Sequence, residues 1–291
     1  MARMLVGYGG NTPQIQWPHQ ARIAINFVIN YEEGAELSPI NGDNFAETYG
    51  GEFPLVHKAA GVRSLSMESL FEYGSRAGIW RLIRLFDEKK IPVTFFLTGF
   101  ALSLNPALSD YLRKAKHEIA GHGWRWIDYE TLSRAEEKTH ILRCVETLEE
   151  LTGQRPRGWY SGRHSQYTRE LLLEIGGFLY DSDNYADDYP YFEANHLIIP
   201  YTLDCNDFRF GTTPGFVTAD DFFNHLKNTF DYLYQEQRQT MMSIGLHPRF
   251  SGHPGRCIAV KKFIDYINQF PDIWIARRLD IATHWHRTGC V

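Results

Sequence analysis

Short runs of apolar, often β-branched residues alternate with segments of helical periodicity along most of the chain. Several of these runs are apolar on both faces, which is typical of strands that are covered on both sides of a parallel sheet. The pattern predicts strands over Arg22–Asn30, Ile91–Thr98, His117–Gly121, Arg157–Ser161, Phe178–Tyr180, Leu197–Leu203, Thr240–Leu246 and Ile273–Ala276.

Capping residues and apolar stripes predict helices between these strands. Ser133 and Glu136 form a capping box ahead of a stripe that continues to Gly153. Other helices are predicted over Pro106–Lys116, after the N-cap residue Asn105, and around the stripes Ile79–Phe86 and Phe222–Leu233.

The alternation of strands and helices predicts an α/β fold with parallel strands and right-handed crossovers. A barrel of the TIM type explains better than an open sheet why polar candidates follow strands far apart in sequence, because strand ends converge at the C-terminal face of a barrel. Glu36–Gly74 and Asp181–His196 have weak periodicity and are predicted to be loops over that face. No linker or repeat interrupts the pattern, so residues 1–291 are predicted to form a single domain.

Two adjacent carboxylates, Glu32 and Glu33, directly follow the first predicted strand, and the chain turns at Gly34. Two carboxyl groups close together do not both ionise freely, so one pKa should be raised. A carboxylate with a raised pKa is a usable general base near neutral pH. The alternative is a solvated turn, since charged residues are mostly exposed.

Two histidines, His122 and His247, each follow another predicted strand. A histidine suits the role of general acid for a leaving nitrogen, because its unperturbed pKa is about 6.5. The alternative for His247 is a buried structural histidine. His122 lies between Gly121 and Gly123, which allow the backbone to approach a ligand closely, although a loop packed by its tryptophans is equally compatible.

Nearby polar side chains could contact a substrate. Trp126 offers an indole N–H group, and Tyr160 and Arg163 follow the strand predicted over Arg157–Ser161. Ser161 is not in a G-x-S-x-G elbow, so a serine nucleophile is not expected.

The bulk composition excludes some classes of function. The formal net charge is −5 and the basic residues are scattered, so neither nucleic acid nor an acidic membrane surface is an expected partner. No apolar run is long enough for a membrane span, and none near the N-terminus resembles a signal peptide. The cysteines lack C-x-x-C spacing and are predicted to be free thiols in a reducing cytoplasm: Cys144, Cys205, Cys257 and Cys290.

Four segments together resemble the motifs of the polysaccharide deacetylase (NodB-like) superfamily: Asn30–Gly34, His122–Trp126, Tyr160–Arg163 and Leu246–His247. The resemblance implies a distorted (β/α)7 barrel. In the deacetylases the second acidic residue and two histidines hold a metal, the first acidic residue is the base and the late histidine is the acid. Here Glu33 and His122 occupy metal-ligand positions, but Trp126 replaces the second histidine, so a zinc ion would be short of ligands.

A narrower resemblance covers nearly the whole chain. The chain resembles the metal-independent allantoinases and cyclic imide hydrolases in the segments Asn30–Gly34, Ser66–Arg76, His122–Tyr129, Gly158–Gly162, Gly177–Asp183, Ile199–Asp204 and Ser243–His247. This subgroup implies a cytoplasmic homotetramer that needs no cofactor and opens a cyclic imide or the ureide allantoin. The loops His164–Tyr167 and Pro248–His253 differ from the allantoinase pattern and favour an imide.

For opening such a ring, we hypothesise the following roles for individual residues. Glu32 is expected to be the base, His247 the acid, and His122 the group that stabilises an oxyanion together with Trp126 or Arg163. Glu33 and Tyr160 are expected to position the ring, and the roles of the two glutamates could be exchanged. Tyr31 and Arg76 lie in matching segments and are further candidates for substrate binding. The competing functions are zinc-dependent deacetylation of a sugar or peptidoglycan and ligand binding without turnover.

Overall fold

The structure is a computed structural model, and it describes residues 3–11, 13–52, 57–236 and 238–288. Cys290 lies outside these residues, whereas the other cysteines are free and buried, as the sequence predicts. The strands of the described part are β1 (Ile23–Tyr31), β2 (Thr94–Leu97), β3 (Glu118–Gly121), β4 (Gly158–Trp159), β5 (Tyr180–Asp181), β6 (Tyr191–Glu193), β7 (His196–Ile198), β8 (Thr240–Leu246) and β9 (Ile273–Ile275).

These strands form one curled sheet in the order β6-β7-β5-β4-β3-β2-β1-β8, and β9 pairs with the beginning of β1. All pairs are parallel except β6 with β7. A parallel bridge between Asn206 and Gly245 brings the segment after β7 onto β8, where the sheet would otherwise end. The prediction of an α/β fold with a distorted barrel is therefore confirmed.

Helices cover the outside of the sheet. They are α1 (Leu65–Tyr73), α2 (Ile79–Lys89), α3 (Gly99–Ser103), α4 (Pro106–Lys114), α5 (Arg134–Thr152), α6 (Thr168–Ile175), α7 (Ala219–Glu236), α8 (Pro254–Ile267) and α9 (Arg278–Thr288). The predicted capping box of Ser133 and Glu136 is present at the start of α5. None of the helices in the described part of the chain has both the length and the apolar character needed to cross a membrane.

Two segments that the sequence analysis predicts as loops contain regular structure. α1 occupies the end of Glu36–Gly74, of which residues 53–56 lie outside the described part, and β6 forms a hairpin with β7 within Asp181–His196. α1 continues through a π-helical turn, Gly74–Gly78, directly into α2. A Cβ atom on Gly74 would overlap the Glu33 carboxylate, and one on Gly78 would overlap the Pro248 carbonyl. The two glycines therefore let this turn pack closely against the strand ends that carry the candidate residues.

The side chains of β1 alternate between two layers. Ile23, Ile25, Phe27 and Ile29 pack in the large core between sheet and helices, whereas Val28 belongs to a small cluster inside the barrel. Since successive strand residues point to opposite faces, even-numbered residues of β1 face the lumen. The lumen cluster consists of Val28, Phe96, Ala120, Tyr160 and Tyr201, and it forms the floor beneath the cavity described next.

Candidate active site

A cavity of about 310 Å³ opens at the C-terminal end of the parallel strands. Its floor and lower wall carry Asn30, Tyr201 and Asn206, and Tyr49, Tyr185 and Phe208 form much of the upper wall. The structure brings six of the predicted site residues to its lining: Glu32, His122, Trp126, Tyr160, Arg163 and His247. Strand ends that are far apart in sequence thus converge on one concave site, as barrel geometry predicts.

Glu32 lies at the centre of a buried charge cluster and is 1% exposed. Its Oε1 atom lies 3.0 Å from His122 Nε2 and 3.5 Å from His247 Nε2. Its Oε2 atom lies 2.7 Å from Arg249 Nη1. Burial opposes ionisation, but the positive charges of Arg249 and His247 outweigh it and hold the pKa of Glu32 well below its usual range. Glu32 is therefore an anion at neutral pH.

Glu33 is also buried but does not line the cavity. It points to the opposite side of the chain from Glu32, against Gly74, and its Oε2 atom accepts the backbone N–H of Glu32. Burial and the neighbouring charge of Glu32 raise the pKa of Glu33 to about 7, against the opposing effect of Arg249. One carboxyl pKa is raised, as the sequence analysis expects, but the raised group is the one that faces away from the site.

The orientation of the His122 ring is set by the backbone. Its Nδ1 atom contacts the carbonyl oxygen of Tyr160, which can only accept, so Nδ1 carries a proton. Nε2 is left to face Glu32, and the imidazole stacks on the Tyr160 ring with centroids 5.2 Å apart. Nε2 of His122 is a hydrogen-bond donor only when the ring is doubly protonated.

His247 is oriented by Asp207, a residue that the sequence analysis did not single out. Asp207 is fully buried and accepts hydrogen bonds from the Nδ1 and the backbone N–H of His247, at 2.7 and 2.8 Å. Burial disfavours the imidazolium, but the charges of Glu32 and Asp207 outweigh burial and raise the pKa of His247 to about 9. His247 is therefore protonated at neutral pH, as a general acid must be.

Arg249 is the second functional candidate that sequence reasoning missed. It is 1% exposed, and its Nε donates a 2.9 Å hydrogen bond to the Gly50 carbonyl. Its guanidinium is the cation next to Glu32, and it lies 3.9 Å from Glu33 Oε1. The available signal was its position two residues after His247, but an arginine there is equally compatible with a solvent-exposed loop.

Trp126 forms part of an aromatic wall. Its ring stacks nearly parallel to that of Tyr49, with centroids 6.1 Å apart. The Arg163 guanidinium lies 4.1 Å from the centroid of the Trp126 ring and makes a cation–π contact with it. Arg163 also donates to Glu47 and to the Trp126 carbonyl at 3.1 Å each. These contacts leave a flat apolar surface with one basic group at the cavity wall.

The structure does not bring the two remaining candidates to the cavity. The Tyr31 hydroxyl, on the helix side of β1, bonds with Ser75 and Asn105. Arg76 lies in the π-helical turn with its side chain 80% exposed and pairs loosely with Glu72. Tyr31 is excluded from the lumen by strand alternation, because it is one residue out of phase with Asn30 and Glu32.

Comparisons with known proteins agree with this fold. The polysaccharide deacetylase family profile matches residues 63–176. A Schizosaccharomyces pombe protein whose name assigns it to the polysaccharide deacetylases is 38% identical, over 92% of this chain and 92% of its own length. The chain belongs to the polysaccharide deacetylase family.

Two solved structures are similar over the full length. One is a probable polysaccharide deacetylase from Pseudomonas aeruginosa PAO1, which is 48% identical with a TM-score of 0.97 and 100% coverage of both chains. The other is PuuE allantoinase, also 48% identical with a TM-score of 0.97, with 100% of this chain and 99% of the other covered.

The family resemblance implies a metal, and the donors of this site do not fit one. Trp126 stands where the pattern has a second histidine, and the Arg249 guanidinium holds the Glu32 carboxylate on the side away from the histidines. Of the two residues at metal-ligand positions, Glu33 does not line the cavity that His122 lines, and the fixed positive charge of Arg249 lies 3.9 Å from Glu33 Oε1, where it would repel a divalent ion. Within the described ranges, the set of three side chains that could share an ion is Asp204, Cys205 and His225, none of which lines the cavity.

Proposed function

We propose that this protein hydrolyses a cyclic amide, either a cyclic imide or the ureide allantoin, without a metal ion. The observation that carries the proposal is the arrangement of Glu32 between two imidazoles and a guanidinium in place of a complete ligand set. The similarity to PuuE allantoinase over the full chain supports the same class of substrate. Assembly as a homotetramer and a cytoplasmic location stay predictions.

The size and lining of the cavity favour a small ring over a polymer. About 310 Å³ is at the lower end of the range for small-molecule sites. Aromatic side chains such as Tyr49, Trp126, Tyr160 and Phe208 offer flat surfaces for a planar ring. An imide nitrogen lies between two carbonyls, so its anion is delocalised and leaves more easily than a simple amine. The reaction therefore needs less help from a Lewis acid.

The proposed reaction begins with Glu32. As an anion on the cavity wall, it accepts a proton from a water molecule while the water oxygen bonds to a ring carbonyl carbon. Glu33 is the weaker candidate for this step, since it lies behind the wall. The low pKa of Glu32 makes it a modest base, which an electrophilic imide carbonyl tolerates better than an acetamide does.

His247 completes the reaction. Its Nε2 proton passes to the ring nitrogen as the C–N bond breaks, and the product is an open chain with one carboxylate and, from an imide, one amide or, from allantoin, one urea group. The proton that Glu32 took from water then replaces the one that His247 gave up. The charge on the carbonyl oxygen needs a donor. Arg163 is one candidate, because its buried Nε has no hydrogen-bond partner among the described residues, and His122 is the other, because its ring lines the cavity. Oxyanion donors elsewhere contribute roughly 3–4 kcal/mol each.

The test is a substrate panel with metal analysis of the same sample. Succinimide, maleimide, hydantoin, allantoin and an N-acetylglucosamine oligomer are assayed before and after exhaustive chelation. We expect ring opening of at least one cyclic amide, with undiminished turnover after chelation and no catalytic metal. Deacetylation of the oligomer, or loss of activity on chelation with recovery on adding zinc, would contradict the proposal.

A further inference from the structure

Arg249 is a positive charge placed by the fold in the acidic centre of the site. It is almost fully buried and forms ion pairs with Glu32 at 2.7 Å and Glu33 at 3.9 Å. An arginine is not deprotonated in proteins, so this charge is permanent. Burying it is costly unless opposite charges compensate for the lost hydration. The acidic pair and the arginine thus depend on one another.

Besides the two glutamates, uncharged groups also hold the guanidinium. Its central carbon lies 4.5 Å from the ring centroid of Phe71 and 5.1 Å from those of Trp126 and Phe250. Gly50 approaches it with a left-handed backbone, and a Cβ atom there would crowd both Arg249 and Trp126. The cation therefore has a fixed position, which a bound ion would need several ligands to obtain.

Trp126 and Arg249, the two residues that oppose metal binding here, are neighbours in space. Trp126 stands at the position of the second histidine, and its ring lies against the guanidinium of Arg249, which comes from a distant loop. A histidine in place of Trp126 would bring a metal donor toward a fixed cation. The aromatic ring and the cation are compatible with each other, whereas either one is incompatible with a metal site.

We propose that Arg249 takes the electrostatic place of the metal: it orients and neutralises Glu32, and it excludes a divalent ion from the acidic pair. The effect of Arg249 on catalysis rests on the proposed function, whereas the exclusion of a divalent ion does not. Arg249 does not line the cavity and is a positioning residue that acts through Glu32. Its removal leaves His247 as the cation beside Glu32 and takes away the one shared with Glu33, a charge that a metal ion can then supply.

The first test measures zinc binding and does not depend on turnover. Zn²⁺ is titrated calorimetrically into wild type, Arg249→Met, and Arg249→Met combined with Trp126→His. We expect the double variant to gain about tenfold or more in zinc affinity over wild type, because it regains a donor and loses the repelling charge. Glu32→Gln in the same background should abolish the gain, which separates this site from Asp204, Cys205 and His225. Equal affinity in wild type and double variant would overturn the proposal.

The second test measures catalysis on the best cyclic amide of the panel, with metal chelated. Arg249→Met should lower kcat/KM by about 100-fold or more and move the acid limb of its pH profile upward, since Glu32 loses the cation that keeps it ionised. Arg249→Lys should recover part of the rate. Arg113→Met, an exposed arginine at the end of α4, is the matched control and should behave as wild type.

The outcomes separate the two proposals. If wild type opens no cyclic amide, the proposed function fails, while the zinc titration still decides the role of Arg249. If Arg249→Met retains the wild-type rate and pH profile, Arg249 is a structural residue only and the inference is wrong. Circular dichroism checks each fold; should Arg249→Met not fold, Arg249→Gln replaces it in both tests and the same two results decide.

Discussion

The two ends of the barrel each contain a fully buried arginine, and the two are held in opposite ways. Arg278, at the start of α9, donates hydrogen bonds to the side chains of Asn26, Ser182 and Ser243 and to two backbone carbonyls. Arg249 makes one hydrogen bond, to Gly50, and its Nη1 and Nη2 have none among the described residues. Arg249 relies instead on its ion pair with Glu32.

The difference separates a structural cation from a functional one. Neutral oxygens accept all the side-chain hydrogen bonds of Arg278, so those bonds link β1, β8 and the segments after β5 and β7 beneath the cavity floor without depending on a carboxylate. Arg249 is balanced by carboxylates whose charge changes when a proton is accepted. Barrel enzymes commonly divide stability and catalysis between their two ends in this way.

The largest effect is expected from Arg278→Met. The substitution leaves several buried oxygens without a donor, at roughly 1–3 kcal/mol each, and the sum is comparable with the whole stability of a typical domain. We expect the variant to accumulate as insoluble or unfolded protein, measured by soluble yield and circular dichroism. A folded Arg278→Met variant with a melting temperature close to wild type would remove the structural half of the comparison.

Glu32→Gln is expected to abolish most turnover without unfolding the protein. General bases contribute roughly 10²–10⁴-fold, and glutamine keeps the shape of the side chain but cannot accept the proton. The measurement is kcat on the best cyclic amide, with circular dichroism as the check on folding. Glu33→Gln is the matched control: because Glu33 points away from the cavity, its loss should cost much less. Equal losses in the two variants would mean that the base is not Glu32.

The sequence predicts the reactive side chains of this site better than the charged residues that orient them. Glu32, His122 and His247 follow strands whose apolar patterns are visible, so parallel-barrel geometry is enough to bring them together. Arg249 and Asp207 follow no such rule. Asp207 is the first residue of a short 3₁₀ helix, Asp207–Gly211, and it reaches His247 because the preceding residue, Asn206, bridges to β8. Contacts of this kind depend on loop paths that local pattern does not specify.

The same limit applies to the fold. The stripe of α2 and the capping box of α5 are local signals, and both helices appear where they were expected. α1 was missed because its apolar face is weak: Met67 and Phe71 are buried, but Leu65 is exposed. The expectation that Glu33 positions the ring conflicts with its direction, since the two faces of β1 continue past the end of the strand and only Glu32 points into the lumen.

Asp207→Asn should change the pH dependence of the reaction. The charges of Glu32 and Asp207 raise the pKa of His247 to about 9, so the acid is competent below that pH and activity falls as pH rises through it. Without the Asp207 charge the pKa falls, and the alkaline limb of kcat/KM should move to lower pH. Asp204→Asn, an exposed change in the same segment, should leave the limb in place. An unmoved limb in Asp207→Asn would show that another group is the acid.

Glu33→Gln tests the second carboxyl group beside Arg249, by its effect on how protein stability depends on pH. Burial raises the pKa of Glu33 from 4.5 to about 7 in the folded protein. Between pH 4.5 and about pH 7, Glu33 is deprotonated in the unfolded chain but still protonated in the folded protein. The free energy of unfolding therefore falls as pH rises through this range, by on the order of 3 kcal/mol. Glutamine does not titrate, so the variant should lose less stability than wild type between pH 5 and pH 8. The measurement is the melting temperature at both pH values, with the exposed Glu130→Gln as control. Identical pH dependence in Glu33→Gln and wild type would mean that Glu33 is ionised throughout this range. Arg249 would then stabilise the Glu33 carboxylate more strongly than a distance of 3.9 Å implies.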